Sequence, residues 1–140
     1  MSDRTDSGAL AGVLETSLYH AASETAAIER FYGELLRLCV VSRWPGGIAL
    51  RAGGSVLLLF ERETLAERPG PIADHGTTGP GHACLLAADP AAYESWRERL
   101  LGAGVEITHE HEWEGGRRSL YFNDPAGNLL EIADGDLWPA

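Results

Sequence analysis

Basic residues are scarce in this chain. Eleven arginines and lysines stand against 21 aspartates and glutamates, for a net charge of -10 and a pI near 4.8. That balance repels polyanions, which argues against nucleic acid and against an anionic membrane surface as partners. An anionic substrate would have to be caught by a few local arginines. Long hydrophobic runs are missing as well: Val56 to Phe60, for example, is far too short to cross a bilayer. The opening stretch, Met1 to Gly8, is polar and mixes both charge signs, unlike a secretory signal. Residues 1–10 read as a short disordered tail. Cysteine is nearly absent. Cys39 and Cys84 each sit in an apolar segment and read as two reduced core thiols of a cytoplasmic protein, although sequence alone leaves a bond between them open.

What remains is enough for one domain, since 140 residues can bury a core without staples. The secondary-structure signals come in two similar rounds. Val13 to Tyr19 reads as a strand. Ser23 offers an N-cap, and a helix follows over Glu24 to Leu36 with Ala27, Ile28, Phe31 and Leu35 at helical spacing. Strands are predicted at Cys39 to Arg43, Ile48 to Ala52 and Ser55 to Glu61, the last two joined across Gly53-Gly54. The second round opens with a strand at Gly81 to Ala87. Asp89 and Pro90 then start a helix running to about Leu101. Strands follow at Val105 to Glu110, Arg117 to Asn123 and Asn128 to Ala133, the last two joined by the Asp124-Pro125-Ala126-Gly127 turn. Each round is therefore βαβββ, one over residues 13–61 and one over 80–134 of a single domain spanning 11–135. Residues 62–79, rich in Pro and Gly, form a linker. Neither half can bury its sheet alone, so the two must close on each other or on another chain.

Gly79-Pro80-Gly81-His82 at a strand start and Gly116 to Glu131, GRRSLYFNDPAGNLLE, carry a resemblance to the vicinal-oxygen-chelate superfamily of glyoxalases, bleomycin-resistance proteins and extradiol dioxygenases. Phe31-Tyr32 followed by Leu35-Leu36 is similar to that family's first helix, with Arg37 where glycine is usual. The resemblance covers Val13 to Asp134 and implies an α+β fold of duplicated βαβββ modules in a glyoxalase-type open barrel. It also implies a homodimer and a small molecule held in the cup. Fold alone does not choose among the family's chemistries.

In the family's metal-dependent members the ligands come from the first and last strands of each half. Matching the halves by motif puts Glu15 opposite His82 and Leu58 opposite Glu131, so the resemblance implies a divalent ion (Zn, Ni, Mn or Fe) on Glu15, His82 and Glu131. Glu15 departs from the usual histidine, which leaves the metal's identity and presence open and weakens the case for dioxygenase chemistry. Each residue also has a plain alternative. His82 could be a buried, satisfied histidine, Glu131 a paired carboxylate and Glu15 an edge residue facing solvent. Alternation puts Arg117, Ser119, Tyr121 and Asn123 on one face. Tyr121, with Glu131, is the catalytic candidate, and its hydroxyl could instead sit at the rim. Ser17, Trp44, His109, Trp113, Arg117 and Ser119 are candidates to line the substrate. His109 and His111 are expected to share a face with Val105 and Ile107. The expectation is a metal-dependent lyase, isomerase, transferase or dioxygenase acting on a small oxygenated metabolite or antibiotic by Lewis-acid chelation. The alternative is a metal-free protein that sequesters a drug or metabolite.

Overall fold

The computed structural model describes residues 10–68, 71–72 and 75–139. Most of the expected tail, residues 1–9, and residues 69, 70, 73 and 74 of the expected linker lie outside the described residues. The first half contains β1 (Glu15–His20), a helix α1 (residues 22–35), β2 (Cys39–Trp44), β3 (Gly47–Ala52) and β4 (Ser55–Glu61). The second contains β5 (His82–Leu86), β6 (His109–Glu112), β7 (Arg118–Asn123) and β8 (Leu129–Ala133), with a helix over Pro90–Gly102 between β5 and β6. Each half forms a four-stranded sheet, ordered β1-β4-β3-β2 and β5-β8-β7-β6, and only the β1/β4 and β5/β8 pairs are parallel. The duplicated βαβββ architecture is thus the one expected, and the two sheets are not closed, in keeping with an open barrel.

The expected linker holds one more element, α2 (Arg62–Ala66), which makes the Pro90–Gly102 helix α3. Its start is fixed by Glu61, whose carboxylate accepts from the hydroxyls of Thr25 and Thr64, both at 2.7 Å. The Thr64 and Thr25 hydrogen bonds together hold that carboxyl below the usual range. At α3, Asp89 accepts from the Ala92 amide (2.7 Å) with Pro90 in the first turn, the cap its sequence predicts. Helix α1 begins earlier than expected and does not use Ser23 as its cap. Glu24 reaches back to the Ala21 amide (2.9 Å), and a 3₁₀ turn (Ala22–Glu24), an α turn (Thr25–Glu29) and a π segment (Arg30–Leu35) follow without a break. The helix ends with the Leu38 amide on the Tyr32 carbonyl and Arg37 at φ 58°. That left-handed position costs any residue with a Cβ, which is why glycine is favoured there.

The predicted strand Val105 to Glu110 starts four residues late. Val105 and Ile107 tuck against the core, the Val105 amide bonds the Leu100 carbonyl, and pairing with β7 begins only at Thr108. His109 and His111 therefore do not share a face with Val105 and Ile107. They turn to the side away from the helices, opposite Tyr121 and Ser119. Cys39 and Cys84 are free, but both are exposed rather than in the core.

One continuous core joins the halves. It contains Leu18, Leu50 and Leu59 from the first sheet, Leu120, Phe122, Leu130 and Ile132 from the second, and Ile28, Tyr32, Tyr93 and Leu100 from the helices. Fully burying a side chain such as Phe122 contributes about 2 to 3 kcal/mol. The halves meet through their helical sides: Phe31 packs on Phe122, and the Arg99 guanidinium donates to the Leu35 carbonyl. Asp124 locks this contact. Its carboxylate accepts from the Tyr32 hydroxyl (2.7 Å), from the amides of Ala126 and Asn128, and from the Asn128 side chain. Asn128 in turn accepts from the Gly81 amide and donates to the Tyr19 carbonyl. Among the described residues no helix is long and apolar enough to cross a membrane.

Two stability changes follow. Tyr32→Phe removes a buried hydrogen bond to a charged acceptor and should cost about 2 kcal/mol, read as a lower denaturant midpoint at unchanged slope. Arg37→Gly relieves the left-handed backbone and should raise stability by about 1 kcal/mol in the same measurement, net of the entropy glycine adds to the unfolded chain.

Candidate ligand site on the second sheet

Register arranges the face of the second sheet that looks away from the helices. Cys84 pairs with Glu131, Glu131 with Tyr121, and Tyr121 with His109, so these four form one row across β5, β8, β7 and β6. Leu129 and Asn123 lie beside His82 in the row before it, and Ala133, Ser119 and His111 beside Leu86 in the row after. The opposite face of the same strands carries Leu120, Phe122, Leu130 and Ile132 into the core. Glu131 is thus a carboxylate at the centre of a sheet, only 5% exposed, on a face whose edges are open.

The His82 ring is oriented by the backbone. Its Nδ1 donates to the Leu129 carbonyl (2.9 Å), which fixes the proton there and turns Nε2 toward Glu131 Oε1 at 3.3 Å. A neutral imidazole in that tautomer and an ionised carboxylate would face each other with lone pairs. A positive charge between them, a proton or a metal ion, is what makes the arrangement favourable. Glu131 Oε2 is enclosed and has no well-formed hydrogen bond, the Cys84 thiol and the Tyr121 hydroxyl being the donors beside the carboxylate. Partial burial, with the Glu131 carboxylate adjacent, pushes the Cys84 thiol up to about 12. Burial, with a further contribution from Glu131, also holds the Tyr121 phenol above its ordinary value despite a hydrogen bond with Ser119. Both groups stay protonated at neutral pH and act as donors.

A run of rings extends from this centre. His82 stacks near Tyr121 (6.3 Å between ring centres), Tyr121 near His109 (5.9 Å), His109 near His111 (5.8 Å), and His111 against Trp113 (4.4 Å). The Trp113 indole donates to the Ser119 hydroxyl at 2.9 Å. Arg117 lays its guanidinium on Gly135, where a Cβ would collide with it. Beside this face a cavity of about 640 Å³ runs along β5 between the halves, reached by His82 and Cys84 and floored by Leu36, Leu38 and Trp96. That volume suits a small ligand.

Of the residues singled out from sequence, His82, Glu131, Tyr121, His109, Trp113, Arg117 and Ser119 therefore share one face. Glu15, Ser17 and Trp44 belong to the first sheet. There the register repeats the second: Glu15 pairs with Val56 and Ser17 with Leu58, as His82 pairs with Leu129 and Cys84 with Glu131. Glu15 thus occupies the place of His82, and Leu58 that of Glu131. Among the described residues no third His, Cys, Asp or Glu joins His82 and Glu131 in a group able to hold a metal ion. Trp44 lies over Gly47, edge-on to Phe60. Sequence reasoning missed Cys84 as a member of the face and set His111, a candidate acid or base with His109, on the face of Val105 and Ile107. Alternation from His82 and from His109 carries the signal for both.

Removing the Glu131 charge lowers the barrier to ionising Cys84. Glu131→Gln should speed iodoacetamide labelling of Cys84 several-fold at mildly alkaline pH, with Cys39 as internal control, read by peptide mass spectrometry.

Residues 20–132 match the family described as the Glyoxalase/Bleomycin resistance protein/Dioxygenase superfamily. Among solved structures, a lactoylglutathione lyase from Agrobacterium tumefaciens is 33% identical with a TM-score of 0.85, covering 94% of this chain and 98% of that one. A virulence protein of Salmonella typhimurium is 29% identical over 115 residues, 79% of this chain and 76% of its own. A glyoxalase-related enzyme from Fulvimarina pelagi is 27% identical with a TM-score of 0.68, covering 94% of this chain and 99% of its own.

Proposed function

The chain belongs to the glyoxalase/bleomycin resistance protein/dioxygenase superfamily, and from that premise we propose that it is a metal-dependent enzyme acting on a small oxygenated molecule across the open face of its second sheet. The observation that carries this reading is the pairing of His82 Nε2 with Glu131 Oε1, 3.3 Å apart on one open face, with the other imidazole nitrogen pinned to a backbone carbonyl. A histidine ligand is commonly held this way, its second nitrogen donating to a carbonyl so that the tautomer and ring direction are fixed. His82 and Glu131 would hold the ion. A bound divalent ion would supply Lewis-acid polarisation of two neighbouring substrate oxygens.

The chain's own residues account for the rest. The Tyr121 phenol remains a proton donor and can hydrogen-bond a substrate oxygen on which charge develops. Glu131, with the uncharged Cys84 and Tyr121 on either side, would be the group that accepts a substrate proton. Ser119, covered by Trp113, holds that indole in place as a wall.

Two protein ligands leave the set incomplete, and a second copy on the open face would complete it. The halves of one chain meet through their helical sides, so the opposite faces of both sheets are left for a second copy to cover. In the homodimer we propose, the first sheet of one copy faces the second sheet of the other. Glu15 of the second copy would then supply the third ligand, with Ser17 and Trp44 lining the substrate. The fourth corner, Leu58, is apolar. That residue, and the lack of a third ligand within the described residues of one chain, favour the rival reading of a metal-free protein that sequesters a drug or metabolite.

Metal analysis separates the two. Purified protein reconstituted with Zn²⁺, Ni²⁺, Mn²⁺ or Fe²⁺ should retain one ion per chain and lose it in both Glu131→Ala and Glu15→Ala. Retention by none of these ions would favour the metal-free reading. Light scattering at micromolar concentration should give a dimer, and a monomer would remove the second copy's Glu15 from the site.

A further inference from the structure

The cavity along β5 has no part in the chemistry described so far. Six consecutive residues, His82 to Ala87, line it, and β5 is the outermost strand of its sheet. Alternation sends His82, Cys84 and Leu86 to the open face and Ala83, Leu85 and Ala87 to the helical side, so the cavity laps around that free edge. The far wall comes from the other half and from the helices. It consists of Leu57 on β4, Leu36 and Leu38 just past α1, and Trp96 on α3. Leu36 and Leu57 belong to the shared core, and Leu38 and Trp96 pack against it, so close packing sets the wall before any ligand arrives.

The lining is one-sided in its chemistry. Among the described residues no Asp, Glu, Arg or Lys lines the cavity, although those four types make up 23% of the chain. A charged group entering here would lose its water and meet no counter-charge, whereas an apolar group gains by leaving water. The two residues that join the cavity to the open face are the ones beside the carboxylate. His82 Nε2 is 3.3 Å from Glu131 Oε1, and Cys84 pairs with Glu131 across the strands. A molecule whose oxygens are held at His82 and Glu131 therefore has the cavity as its neighbour, and about 640 Å³ accommodates the remaining body of a small ligand. Resting on the reading of His82 and Glu131 given above, we propose that this cavity is the specificity pocket for an uncharged, apolar substrate tail. The substrate class is amphipathic: adjacent oxygens at the reacting end, and an aliphatic or aromatic group that passes the edge of β5 toward Trp96. The length of β5 bounds that tail at roughly 16 Å, five steps at the rise of a strand.

The test uses full-length, Ni²⁺-reconstituted protein in titration calorimetry. Acetohydroxamate offers two adjacent oxygens alone, and butano-, hexano- and octanohydroxamate add methylenes in pairs. Acetohydroxamate should bind, and Glu131→Gln should abolish that binding. Affinity should rise by about fivefold for each added pair of methylenes, short of the roughly fifteenfold that complete burial would give. The terminal ammonium of 6-aminohexanohydroxamate should forfeit the gain shown by hexanohydroxamate. Ala52→Phe and Gly54→Trp each add bulk at the cavity wall, where Ala52 is half-buried and a Cβ on Gly54 meets nothing within 4 Å. Both should flatten the series and leave acetohydroxamate unchanged. Val41→Phe adds bulk at an exposed position outside the cavity and should leave the rise intact. A flat series in the native protein, with acetohydroxamate still bound through Glu131, would overturn the pocket and spare the chelation reading. A rise that survives both Ala52→Phe and Gly54→Trp would also overturn it. If acetohydroxamate fails to bind at all, both readings fall.

Discussion

The Asp124 carboxylate is the constraint on which the rest of the molecule depends. A buried charge is tolerable only when its lone pairs are filled, and Asp124 fills them from two directions: its own turn and the Tyr32 hydroxyl of the first half. Satisfying one acid therefore shapes the turn between β7 and β8 and fastens helix α1 to the second sheet. Burial, reinforced by the Asp124 charge and by that hydrogen bond, drives the Tyr32 phenol far above its ordinary value, so the donor cannot be lost by ionisation. Asn128 extends the clamp by bridging the Tyr19 carbonyl and the Gly81 amide. Gly81 immediately precedes His82, and so the position of the imidazole is set by the same network that joins the halves.

From there the chemistry is local. An ordinary sheet interior would place an apolar residue where Glu131 stands, as the first sheet does with Leu58. The carboxylate instead meets an imidazole whose Nδ1 proton is committed to a backbone carbonyl, with the Cys84 thiol and the Tyr121 phenol beside it. The neighbouring thiol and phenol are both held neutral, so they answer the carboxylate only as donors.

Much of this was legible before any coordinates. The repeat, the DPAGN turn and the alternation around Tyr121 gave the topology and most of one face, because strand parity and turn chemistry are local properties. Gly46 and Gly135 illustrate what is not local: their lack of a side chain matters through Thr64 and Arg117, which come from other elements. The late start of β6 was hidden for a similar reason. Val105 and Ile107 have the right residue types for a strand, but the core claims them before the ladder can. Cys84 was misjudged because an apolar neighbourhood in sequence need not be a buried one in space. The gathering of ligands failed to emerge within one chain because the correspondence of Glu15 with His82 is a correspondence between halves, not a contact.

The alternation His-Glu-His-Glu along β6 turns register into polarity. Every imidazole of that strand faces the open side of the sheet and every carboxylate the helices, and the two-pronged grip of Arg97 on Glu110 pins the phase. A slip of one residue would invert the pattern, because side chains exchange faces with each step. The same four amino acids would then line the floor with repulsive charge for any anion. An insertion or deletion between Gly104 and His109 would thus do more harm to recognition than many point changes on the face itself, while leaving composition, charge and hydrophobicity untouched.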